Sequence, residues 1–108
     1  MREILVAGRA LLTTDALARQ LLLYARELSE SGRSDVVDIP VGVDGAATTC
    51  ALLIGGSTPL AAVALPGSED GVLPGEDEAL FELQRRSDDL RTVAPARILA
   101  QKDREPIS

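Results

Sequence analysis

The twenty residues from Thr13 to Gly32, TTDALARQLLLYARELSESG, constrain the fold of this chain more than any other stretch. They carry a helix start, a helical period and a helix stop. Thr14 is suited to N-cap the segment, and Asp15 follows at the positive end of the helix dipole. Leu17, Leu21, Tyr24 and Leu28 repeat at 4-3-4 spacing, the stripe of a core-facing helix. Ala18, Leu22 and Ala25 widen that stripe to roughly 160°, while Arg19, Arg26, Glu27 and Glu30 take the opposite side. Gly32 suits the left-handed position after the last turn. The pattern predicts a helix over 14–31. A helix with one apolar stripe roofs one surface and no more.

Leu23 breaks the pattern by projecting into the polar side, near Ala16, Arg19 and Glu27. It reads either as an ordinary exposed leucine or as the centre of a subunit contact formed with those three neighbours.

The rest of the chain is rich in strand signals. Glu3–Ala7, EILVA, is apolar on both faces, which suits an interior strand. Gly8-Arg9 is either a hairpin turn leading back through Ala10–Leu12 or a loose connection into the helix cap. Val36–Val43 alternates, with Val37, Ile39, Val41 and Val43 on one side and Asp38, Pro40 and Gly42 on the other. Pro40 lacks an N–H, so that strand is expected at an edge or with a bulge. Asp44-Gly45 marks a tight turn. Ala46–Ile54 and Leu60–Leu65 follow as two strands with apolar residues on both faces, and the three in succession read as an antiparallel meander.

Glu76–Arg86 has acids at its start and arginines at its end, a second helix reaching Leu90 at most, with fraying expected at Ser87. Arg97–Ala100, after Pro95, reads as a short last strand. Residues 101–108 read as a flexible tail beyond a single domain spanning 1–100.

This arrangement creates a mismatch. Strands with two apolar faces need cover on both sides, and the chain offers one long helix and one weaker one. With two aromatic residues in all, Tyr24 and Phe81, the core rests on smaller aliphatic side chains. Self-association is a usual remedy for a small domain of this kind.

Charge and residue types narrow the chemistry. A net charge of −6 argues against nucleic acid and anionic membranes as partners, and favours a protein with a basic surface. There is no histidine, and Cys50 is the only cysteine. It reads as a small buried hydrophobe, without the base that a nucleophile needs. Asp38, out of phase with the core, reads as a solvated charge that discourages edge-to-edge pairing. Gly55-Gly56-Ser57-Thr58 suits a turn better than an anion cradle, because Pro59 and a strand follow in place of a lysine and a helix. The acids at Glu69, Asp70, Glu76, Asp77 and Glu78 lack the offsets of a calcium loop. No cofactor or metal is expected.

The sequence therefore predicts an α+β domain of order βαβββα(β), a mostly antiparallel sheet of about four strands with the long helix on one face. No secretory leader or membrane-spanning stretch is expected, which places the protein in the cytoplasm. The function expected is a non-catalytic homodimeric interaction module. The alternative is a small-ligand or anion-binding domain centred on Gly55, Gly56, Ser57 and Thr58.

Overall fold

The long amphipathic stretch forms α1, Asp15–Glu30, in the computed structural model, which describes residues 1–6, 8–56, 59–65 and 73–104. The Thr14 hydroxyl accepts from the Leu17 amide at 3.2 Å, closing the first turn. At the other end Gly32 takes φ +67°, and the amides of Arg33 and Gly32 donate back to the carbonyls of Leu28 and Ser29. This pair of bonds is a Schellman stop. Leu17, Leu21, Tyr24 and Leu28 are all buried, as their spacing predicts.

Among the described residues, five strands form one antiparallel sheet: β1 Arg2–Val6, β2 Arg9–Thr13, β3 Ser34–Val43, β4 Ala46–Gly55 and β5 Leu60–Ala64, in spatial order β4-β3-β2-β1-β5. The domain is α+β, with one strand more than expected. Val6 pairs with Arg9, so β1 and β2 are a hairpin, and Arg9 is the first residue of β2 and not part of the turn. In the β3–β4 hairpin, Val43 pairs with Ala46 across Asp44-Gly45, whose φ values of 51° and 80° are those of a type I′ turn.

One expectation about the sheet needs correction. The last three strands do not form a meander, because β5 leaves β4 and pairs with β1 on the far edge. Among the described residues every pairing is antiparallel. The reason lies in β1. Its two apolar faces call for an interior position, β2 supplies one neighbour, and β5 supplies the other.

Pro40 is neither at an edge nor required to form a bulge. A two-residue hairpin closes on a hydrogen-bonded pair, so the alternation from Val43–Ala46 makes Pro40–Thr49 a non-hydrogen-bonded pair. The missing N–H therefore points toward β2. There β2 is ending: its one bridge to β3 is Leu12–Gly42, and the Thr13 hydroxyl donates to the Pro40 carbonyl at 3.0 Å.

The second helix, α2 Glu76–Arg104, is much longer than expected and continues through Pro95. No strand forms at 97–100, and residues 101–104 are helical; residues 105–108 lie outside the described ones. A proline is a probable helix boundary, not an obligatory one. Ser87 causes no fraying either. It is buried and donates its hydroxyl to Glu27 of α1, so the polar group in the leucine series has a partner across the helix pair. Leu83 and Leu90 on either side of it join the core.

That core is one-sided. Ile4, Val6, Leu11, Val37, Ile39, Val41, Leu52 and Ile54 share one face of the sheet and pack with the two helices. Each such buried aliphatic side chain contributes about 1.5–3 kcal/mol.

Candidate interaction surface

The register assigns the other face residue by residue. Glu3, Leu5, Leu12, Val36, Asp38, Pro40, Thr49, Ala51, Leu53, Ala61 and Val63 alternate with the core positions and so point away from both helices. Leu5, Val36, Leu53 and Val63 are exposed there, Leu53 by 57%. The mismatch read from the sequence is thus a physical feature of the chain. Among the described residues neither helix packs on this face, although Pro40 is buried at its centre and Glu3 and Leu12 are half-buried. Its apolar side chains form two patches: Val36 beside Leu53, and Leu5 with Ala61, Leu12 and Val63. Asp38, Pro40 and Thr49 separate them. The charged side chains on the face are Glu3 and Asp38, both acidic.

β4 adds an open edge. Its residues Ala46, Thr48, Cys50, Leu52 and Ile54 stand in the hydrogen-bonded pairs with β3. The N–H and C=O groups of Ala47, Thr49, Ala51 and Leu53 therefore point outward. No charged residue or proline lies between Ala46 and Gly55, the usual protections of such an edge. Beside it a hollow of about 530 Å³ opens at the hairpin end, lined by Arg9, Leu11, Val41, Thr48, Cys50 and Leu52 among others. Asp38 is exposed on the bare face, opposite Ala51 of β4. Its carboxylate does not protect the outward side of β4.

A second, polar cleft of about 480 Å³ lies where α1, α2 and the start of β3 meet, lined by Tyr24, Arg33, Asp35, Arg86 and Asp89 among others. The Tyr24 hydroxyl donates to Asp35 Oδ2 at 2.6 Å, and Arg86 donates to the same oxygen at 3.0 Å. Arg86 also donates to the Val36 carbonyl at 3.0 Å, and the Val36 amide donates to Asp35 Oδ1 at 2.9 Å. Val36 lies beyond the end of β2, so the carboxylate and guanidinium satisfy the backbone groups that β2 does not reach. Burial, reinforced by the Asp35 hydrogen bond and charge, raises the Tyr24 pKa well above its ordinary value of 10. Hydrogen bonds from Arg85 and then Arg86 hold Glu82 down to about 2. These groups bind one another and lock three elements together. The Tyr24–Asp35–Arg86 cluster has no local signature, since it joins residues far apart in sequence.

The predicted site residues are dispersed. Leu23 is 45% exposed on the outer side of α1, with Ala16 and Arg19 exposed near it. Glu27 faces α2 instead: it accepts from Ser87 and lies 3.5 Å from Arg91. At the other candidate, Gly55 is buried at φ +90°, and an added Cβ there would meet the Arg33 carbonyl at 2.6 Å and Leu28 Cβ at 2.7 Å. The glycine thus serves close packing of β4 against the end of α1. The Gly56 amide donates to the Arg33 carbonyl at 2.9 Å and is engaged within the fold. Ser57 and Thr58 lie outside the described residues, as do Glu69 and Asp70. Glu76, Asp77 and Glu78 form the first turn of α2. Cys50 is a partly exposed free thiol on the core side of β4.

Among the described residues, no group of three or more metal-ligating side chains occurs, and no helix is long and apolar enough to cross a membrane. Comparison with protein-family models, with curated proteins and with solved structures finds no match to this chain.

Proposed function

We propose that this chain is a cytoplasmic, non-catalytic interaction module that acts as a homodimer and uses the open side of its sheet to make contacts. One observation carries the reading: an apolar sheet face without a roof runs into a ten-residue edge strand without charge. Exposed apolar patches of this kind mark interaction sites, and unprotected edges pair with other strands. A further protein docking on the bare face would match Glu3 and Asp38 with basic groups and the patches with apolar ones.

Light scattering on the purified protein at micromolar concentration tests the reading, with a dimer expected and a strict monomer opposing it. The anion-binding alternative is tested by thermal shift with inorganic phosphate and nucleotides, since a ligand that binds the folded state raises the melting temperature. With the Gly56 amide engaged by Arg33, no shift is expected.

A further inference from the structure

A second copy can meet the open sheet in two ways, by stacking on its face or by pairing with its edge. The charges decide between them. Stacking two bare faces would bring together four carboxylates, Glu3 and Asp38 from each copy, without a basic side chain on either face among the described residues. Burying unpaired charge in this way is costly. Edge pairing joins two strands that carry no charged residue.

The residue sizes along β4 point the same way. Its first half, Ala46-Ala47-Thr48-Thr49, is small, and its second half ends in Leu52-Leu53-Ile54. An antiparallel self-pairing centred on Cys50 sets Ala46 opposite Ile54, Ala47 opposite Leu53 and Thr48 opposite Leu52. Each large side chain then meets a small one. The hydrogen-bonding phase agrees, because the outward-pointing residues pair with each other, Thr49 with Ala51 and Ala47 with Leu53. About eight backbone hydrogen bonds result. The same pairing extends the apolar surface across the contact: Val36 and Leu53 of one copy fall in line with Ala47, Gly42 and Leu12 of the second copy, and its Glu3 closes that row before Val63.

On these grounds we infer that two copies of this chain associate through antiparallel pairing of β4 with β4 about a twofold axis at Cys50, giving one continuous ten-stranded sheet. The inference rests on the homodimer reading above and specifies its interface. Cys50 of each copy then occupies a non-hydrogen-bonded pair, where Cα atoms stand about 4.5 Å apart, within reach of a disulfide.

Amide hydrogen exchange on the unmodified full chain tests this directly. In the dimer the amides of Ala47, Thr49, Ala51 and Leu53 exchange about tenfold or more slowly than in the diluted monomer. The β3-bonded amides of Thr48, Cys50 and Leu52 stay protected in both and act as an internal reference. Diamide, taking up two electrons and two protons as two thiols join, should yield a Cys50–Cys50 crosslinked dimer on non-reducing gels. Ala51→Pro removes an outward N–H without removing a bond to β3, and should weaken the dimer about tenfold. A dimer whose four outward amides exchange freely, or which diamide fails to crosslink, overturns the edge pairing and leaves the homodimer reading standing. A protein that remains monomeric at high micromolar concentration overturns both.

Discussion

The two faces of the sheet are built from the same residue types and have opposite fates. On one, Ile4, Ile39, Val41 and Ile54 are fully enclosed by two helices. On the other, Leu5, Val36, Leu53 and Val63 meet solvent. Alternation along each strand sorts side chains to two sides, but it does not determine how much cover each side receives. That depends on the helices, and both lie on the same side. A chain of this length with a single sharply amphipathic helix shields one face well and leaves the other open.

The largest effect that sharpens this contrast is Leu21→Ala, which removes a fully buried side chain under α1. It should cost about 2–5 kcal/mol in urea unfolding, whereas Leu53→Ala, measured where the protein is monomeric, should stay within about 0.5 kcal/mol. Similar losses at both positions would mean that the bare face is covered. Next is Gly55→Ala, which places a methyl group against the Arg33 carbonyl and Leu28 in a left-handed backbone. A loss of about 1–3 kcal/mol is expected, readable as a lower urea midpoint at unchanged slope.

Weakening the lock at the edge of the roofed side should cost less. Asp35→Asn leaves Arg86 without its carboxylate across the cleft, for an expected loss of about 1–2 kcal/mol. The same cluster gives a pH signature. Tyr24 is held protonated in the folded chain, so its contribution is intact below the ordinary tyrosine value of 10 and declines as pH rises beyond it. Chemical denaturation above that pH should show stability falling, and Tyr24→Phe should remove this part of the slope. The smallest effect is predicted for Leu23→Glu on the outer side of α1. It should change neither stability nor association measurably; a weaker dimer would move the interface from β4 to the helix.

Much of this architecture is legible in the sequence where local chemistry dominates. The Thr14 cap, the Leu17–Leu28 stripe and the Gly32 stop define α1, and Asp44-Gly45 defines the β3–β4 turn. The surplus of apolar surface is legible too, since Leu52, Leu53 and Ile54 are consecutive and cannot all face one core. Strand order is harder to read, because it depends on competition between distant partners. The two-sided EILVA run already demanded two neighbours for β1, yet the meander placed β5 beside β4 and concealed the open edge. Ser87 misled for a related reason: a serine in a leucine series interrupts an isolated helix, but here its partner is Glu27 on another element. The Tyr24–Asp35–Arg86 lock, spread over three elements, could not be read from any one stretch.

Sedimentation equilibrium of the unmodified chain over a dilution series tests the central claim most directly, because it asks whether the open sheet is satisfied in solution. A reversible monomer–dimer equilibrium at micromolar concentration is predicted. A single monomeric species across the whole series would contradict it.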